Sequence, residues 1–333
     1  MSNTKKTIQN NSRRNFLYQS SLASLGFVFM GKNSFAANSL FLGNPNSKIK
    51  GVQIGAITYS FRSMPGSAEQ LLQYLKEAGI SAIELMGDPA EAYAGSPVGN
   101  MPQVTRENYM KTMEERNAKA RVWRETASMD KFVELRKMFN DAGITIYAYK
   151  PDAALGVKST DAEIDYAMRA AKALGATSVN VEIPTNADHS KRLGEFGLKH
   201  KVYVGYHAHT QATDTAWDLA LSQSPYNAIN LDCGHYIAAG GANTTATLLA
   251  FIEKNHARIT SMHIKDRKNK VNGSKNMPWG EGDTPLKEVL SLLKTKKYKI
   301  PASIELEYDI PAGSDAVKET KKCFEYAKAI LEG

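Results

Sequence analysis

Eight short apolar, β-branched segments recur along this chain with helix-patterned sequence between them, and that repetition limits the fold more than any single motif. They are 52–58 (VQIGAIT), 81–86 (SAIELM), 144–149 (ITIYAY), 177–183 (TSVNVEI), 201–207 (KVYVGYH), 227–232 (NAINLD), 259–264 (ITSMHI) and 301–306 (PASIEL). Several are nearly continuous apolar runs, as parallel strands covered on both faces require. The segment 68–79 between the first two is amphipathic and ends at Gly79, a common helix terminator, and the same ending recurs at Gly143 and Gly175. Most gaps suit one crossover helix. Eight β/α units in about 280 residues match a TIM barrel. A doubly wound sheet would want a Gly-rich phosphate turn after its first strand, where Thr58-Tyr59-Ser60-Phe61-Arg62 stands instead. The expected fold class is therefore α/β, a single (β/α)8 TIM barrel over residues 51–333.

The sequence before Gly51 has a different character. Residues 1–36 hold Lys5, Lys6, Arg13, Arg14 and Lys32 and no acid. The whole chain carries 42 Lys+Arg against 34 Asp+Glu, so without those five the balance is 37 against 34, or +3. The basic character belongs to an address rather than to a nucleic-acid surface. Ser12-Arg13-Arg14-Asn15-Phe16-Leu17, an apolar run around 24–30 and a small-residue exit at Ala36-Ala37 resemble a twin-arginine export signal. The run is far short of the ~20 residues a membrane span needs. Expected are a signal peptide over 1–36, a linker over 37–50, the twin-arginine machinery as a partner, and an exported or periplasmic barrel with no stable membrane span. With 42% hydrophobic and 23% charged residues, disordered and collagen-like classes are excluded. Two cysteines, Cys233 and Cys323, make no disulfide scaffold, though export would permit them to pair.

Chemistry concentrates where strands end. Glu84 ends the second segment, Glu182 the fourth, His207 and His209 the fifth, Asp232 and His235 the sixth, His263, Lys265 and Asp266 the seventh, and Glu305 and Glu307 the eighth. In a barrel these ends meet at one mouth. Charges inside apolar runs are costly unless paired or bound to metal. Mixed carboxylate and imidazole donors suit Mn²⁺, Fe²⁺, Co²⁺ or Zn²⁺, while Mg²⁺ prefers oxygen. Long connections at 87–128 (a loop to Val104, then a charged helix near 107–124) and 265–283 are expected to shape the mouth, with Trp123 and Trp279 as apolar walls.

Leu231-Asp232-Cys233-Gly234-His235, Met262-His263-Ile264-Lys265-Asp266, Gly280-Glu281-Gly282-Asp283 and Ser303-Ile304-Glu305-Leu306-Glu307 resemble the xylose isomerase-like TIM-barrel superfamily of sugar phosphate isomerases and epimerases. Tyr206-His207-Ala208-His209 resembles its His-x-His branch, near inosose dehydratase. The resemblance implies one divalent metal, Mn²⁺ first, with Asp232, His263 and Glu305 as ligands. His207 stands where the family places a glutamate ligand, so Glu182 is expected to move into the shell, with His207 as ligand or base. The implied catalytic set is His207, Glu305, Lys265 and His209; the implied substrate contacts are His235, Glu84, Glu307 and Trp279.

A metal bridging a carbonyl and its neighbouring hydroxyl acidifies the C–H between them, and a base removes that proton. Its return gives isomerisation or epimerisation; loss of a β leaving group makes a lyase. Export points to a small non-phosphorylated sugar or keto-sugar, and the expected activity is isomerase or epimerase, with a dehydratase or keto-glycoside lyase as the alternative. A non-catalytic carbohydrate-binding barrel and a repair nuclease are the rivals from other classes; the +3 balance and export oppose the nuclease. An oligomer is compatible with the sequence.

Overall fold

The computed structural model describes residues 43–100 and 109–333; the expected signal peptide lies outside them. Eight parallel strands close on themselves: β1 (Val52–Ile57), β2 (Ala82–Met86), β3 (Thr145–Lys150), β4 (Ser178–Glu182), β5 (Tyr203–His207), β6 (Asn227–Asp232), β7 (Ile259–Ile264) and β8 (Ala302–Ile304). Each pairs with the next, and β8 pairs back onto β1 through Ala302↔Ile54. The expected barrel is therefore present. A ring of helices covers it: α1 (Ala68–Ala78), α2 (Gly87–Tyr93), α3 (Tyr109–Thr126), α4 (Asp130–Asp141), α5 (Asp161–Leu174), α6 (Ala187–His200), α7 (Asp218–Gln223), α8 (Cys233–Ala239), α9 (Thr245–Asn255), α10 (Leu286–Lys296) and α11 (Ala316–Glu332). No helix among the described residues is long and apolar enough to cross a membrane.

Local chemistry fixes the helix boundaries. Ser67 and Thr160 open α1 and α5 with reciprocal capping boxes to Gln70 and Glu163. Gly79 (φ 78°) and Gly175 (φ 76°) close the same helices in the left-handed conformation. The apolar faces of helices and strands form one continuous core around Leu75, Phe132, Tyr166, Trp217 and Leu290.

Several boundaries differ from expectation for identifiable reasons. Lys201 is the left-handed cap of α6, so β5 starts at Tyr203. β8 ends at Ile304 because β1 leaves the ladder in a 3-10 turn over Thr58–Phe61. There the Ser60 hydroxyl replaces the backbone, donating to Ile304 O (3.2 Å) and accepting from Leu306 N (3.0 Å). The start of the 87–128 connection is helical rather than a loop, since Pro89 falls in the first turn of α2, where it leaves no intrahelical bond unmade. Part of the expected linker also belongs to the fold. Lys48 and Ile49 pair with Gln53 and Val52, and buried Ser47 donates to Ile54 O at 2.6 Å. Cys233 and Cys323 are separate buried thiols, not a disulfide.

Candidate active site

Register and strand alternation build the site. Asp232 on β6 pairs with His263 on β7, and Glu182 on β4 pairs with His207 on β5. His207, Asp232 and His263 are buried, and their potential ligand atoms lie within 4.8 Å of one another. His207 Nε2 and His263 Nδ1 each stand 3.9 Å from Asp232 Oδ2. The opposite nitrogen of each ring is held from behind. Asn230 donates through its amide nitrogen to Ser261 Oγ (2.8 Å), so its oxygen accepts from His207 Nδ1 at 2.8 Å. That leaves Nε2 of His207 as the lone-pair atom. His263 Nε2 donates to Glu84 Oε2 at 2.9 Å, which turns Nδ1 toward Asp232. Such supports orient imidazoles for metal binding.

Two atoms decide whether a metal fits. Asp232 Oδ2 and His263 Nδ1 are buried, and their polar neighbours are charged groups, the Lys265 ammonium at 2.8 Å and Glu305 Oε2 at 3.3 Å, with hydrogen-bond angles that leave neither atom well satisfied. Buried polar atoms normally make well-aligned hydrogen bonds, and these two instead face a common centre with His207 Nε2. Two imidazoles and a carboxylate suit a first-row divalent ion. Burial, with His263 and His209 nearby, holds His207 well below its ordinary pKa, so the ring is neutral. Burial alone would also lower His263, but Glu84 and Glu305 hold it well above the usual value. A metal bound there would displace a proton.

Lys265 stands beside this centre. Its ammonium lies 2.8 Å from Asp232 Oδ2 and donates to Glu305 Oε2 (2.7 Å), Glu307 Oε2 (2.7 Å) and His235 Nε2 (2.9 Å). Burial opposes the charge, but Asp232, Glu305 and Glu307 outweigh it and keep the lysine cationic. Lys265 and His263 in turn hold Glu305 well below the usual carboxylate range despite its burial. Asp266 does structural work. It accepts from Gly280 N and Gly282 N (2.8 Å each) and Thr284 N (3.2 Å), pinning the turn that carries Gly280-Glu281-Gly282-Asp283.

A cavity of about 380 Å³ opens above the cluster and runs from His263, Glu305 and Glu307 to Met113, Arg116 and Asn117 on α3. On its other wall Lys150, at the end of β3, donates to Asp152 Oδ1 (2.9 Å) and Glu182 Oε1 (3.2 Å), while Glu182 Oε2 lies 3.2 Å from His209 Nδ1. Burial lowers the pKa of His209 against the pull of Glu182. Burial raises Asp152 to about 6 although Lys150 opposes it. α3 is fixed as a wall of this cavity. Arg124 makes a bidentate pair with Glu91 on α2 (2.8 and 3.0 Å) and reaches Glu163 on α5 at 3.2 Å.

Most of the sequence-derived residues converge, with three departures. Glu182 does not join the metal grouping: its side chain is 43% exposed and paired with Lys150 and His209. His207 instead stands with Asp232 and His263 in the grouping that could hold an ion. Glu84 is fully buried behind His263, 2.9 Å from its Nε2, and does not line the cavity. Trp279 packs edge-on against Tyr326 (6.0 Å) and Trp123 against Tyr166 (5.7 Å); neither lines the cavity. Lys150, Asp152, Asp88 and Arg116 were not anticipated. Lys150 lies one residue past the expected end of its strand, where the strand-end criterion would have found it.

The family model of the xylose isomerase-like TIM barrel matches residues 72–328. The chain belongs to that family. No curated protein matches the sequence. Among solved structures, D-psicose 3-epimerase from Clostridium cellulolyticum H10 aligns with TM-score 0.58 at 12% identity, covering 84% of this chain and 99% of its own. The 3-keto-D-glucoside 4-epimerase of E. coli aligns with TM-score 0.55 at 13% identity, covering 84% and 99%. The "probable 3-DHS dehydratase AsbF involved in the petrobactin synthesis" of Bacillus anthracis aligns with TM-score 0.57 at 16% identity, covering 82% and 98%. At these identities the likeness is one of fold.

Proposed function

We propose that this protein is an exported, divalent-metal-dependent enzyme that removes the proton beside a sugar carbonyl, as an isomerase or epimerase of a non-phosphorylated sugar or keto-sugar. The observation that carries the reading is the buried His207–Asp232–His263 grouping, whose potential ligand atoms lie within 4.8 Å of one another. His207 Nε2, Asp232 Oδ2 and His263 Nδ1 would hold the ion, with Glu305 beside them at 3.3 Å from His263 Nδ1. When bound, the ion polarises the carbonyl and its neighbouring hydroxyl. Lys265 adds a second positive charge where negative charge develops on oxygen. His209 is the base: its imidazole stands at the cavity wall 3.2 Å from Glu182, and its lowered pKa keeps it neutral near pH 7. His207 is the ligand in this reading.

One observation favours a lyase as the second reading. Glu305 is engaged by Lys265 and His263, so a single imidazole base works on one face, as a one-sided elimination requires. Proton NMR in D₂O, with the metal-loaded enzyme and a free ketose or a 3-keto-glucoside, separates the two. Deuterium beside the carbonyl of an otherwise intact sugar is the expected result. Aglycone release with a vinylic proton would make the enzyme a lyase, and no exchange with either sugar would sink the proton-abstraction reading.

A further inference from the structure

The cavity is longer than the cluster at its base, and its far end is chemically built. Arg116 and Asn117 reach it from α3, Asp88 from the first turn of α2, and Lys150 with Asp152 from the end of β3. Arg116 and Asp88 attract one another, yet neither makes a hydrogen bond or close ion pair to a described residue. Both therefore present their donors and acceptors to the cavity. Lys150 spends two of its three N–H donors on Asp152 and Glu182, leaving one. Between these polar groups Met86, Met113 and Pro151 supply apolar surface.

The charges at this end show no excess of cations: Asp88, Asp152 and Glu182 stand against Arg116 and Lys150. A net positive pocket would select a carboxylate or phosphate. One without net positive charge, with acceptors and donors side by side next to apolar surface, matches a neutral ring whose hydroxyls both donate and accept and whose C–H face is apolar. The wall is also held in place. Arg124, eight positions after Arg116 on α3, is locked by Glu91 and Glu163, so Arg116 stands on a rigid support.

We propose that Asp88, Arg116, Asn117, Lys150 and Asp152 form a second subsite for a neutral sugar or similar polyhydroxylated unit, so that the substrate is a glycoside or disaccharide rather than a free monosaccharide. The proposal rests on the sugar-carbonyl reading of the His207–Asp232–His263 end, and it assigns the reacting ring to that end and the attached unit to α3.

Calorimetric titration of the metal-loaded protein with cellobiose and with glucose tests the subsite without requiring turnover. The wild type is expected to bind cellobiose at least about tenfold more tightly, about 1.4 kcal/mol. Arg116→Ala and Asp88→Asn should each remove most of that advantage and leave glucose binding within about twofold. Both side chains face the cavity rather than the core, and unchanged melting temperatures establish that the variants fold. Equal affinities in the wild type, no binding of cellobiose, or variants that weaken both sugars alike would overturn the subsite. Tight, Arg116-dependent cellobiose binding together with no deuterium exchange on any keto-sugar would retain the subsite and refute the proton-abstraction reading instead.

Discussion

Replacing Arg124 by Met tests how the cavity wall is held. The guanidinium is 5% exposed and makes three charge-assisted hydrogen bonds, two to Glu91 and one to Glu163. Met fills much of its volume but leaves Glu91, 7% exposed, with only the Tyr166 hydroxyl at 3.3 Å as a side-chain partner among the described residues. Glu163 keeps Arg121 at 3.1 Å. Removing one partner of a buried pair costs about 3–5 kcal/mol. For roughly 285 folded residues the unfolding entropy is about 0.6 kcal/mol per degree, so the melting temperature should fall by about 5–8 °C. The deficit should also depend on pH with a definite sign. Burial already raises the Glu91 pKa against Arg124, and losing Arg124 raises it further. A carboxyl whose folded pKa exceeds its unfolded value gains stability as pH falls through the folded pKa. Calorimetric melts from pH 8 to pH 5 should therefore show the gap to wild type narrowing on acidification. A melting temperature within 1 °C of wild type at pH 7.5, or a gap that widens in acid, would refute the reasoning.

Other outcomes follow from the same geometry. Glu84→Gln should lower metal affinity by about 10–100-fold without removing a ligand, because the carboxylate only orients His263; competition against a chelating dye reads this directly. The acid limb of kcat/KM should lie below pH 6.5, since His209 is held below its ordinary value and must protonate before activity is lost; a limb above 6.5 in a pH–rate profile would exclude it as the base. Gly282→Ala should destabilise the turn after β7, because a Cβ there collides with the Asp266 carboxylate; an unchanged melting curve would contradict this. Ellman's reagent should find almost no reactive thiol in the folded barrel and two after denaturation, as both cysteines are buried and free.

The barrel was legible in the sequence because it is written in repetition: eight apolar runs at crossover spacing survive errors of a residue or two at each end. The site was legible for a related reason. Asp232, His263, Lys265, Glu305 and Glu307 are polar residues at or just beyond the ends of apolar strands, and a barrel has one place for such ends. What stayed hidden depends on lateral register and side-chain direction. Whether His207 or Glu182 meets Asp232 is decided by Asn230, which holds the His207 ring, and by Lys150, which draws Glu182 toward the rim. Asn230, Ser261 and Asn180 form a buried polar layer beneath the site that looks, in sequence, like incidental polarity within strands. Trp279 was expected at the mouth from its loop, but Tyr326 on α11 offers it a packing partner elsewhere.

Metal content is the most direct test of the central claim. After loading with Mn²⁺ and desalting, wild type and Glu182→Gln should each retain one ion per chain by mass spectrometry, whereas Asp232→Asn and His207→Ala should retain almost none. An Asp232→Asn variant that keeps its ion, or a Glu182→Gln variant that loses it, would show that the metal is not held by His207, Asp232 and His263.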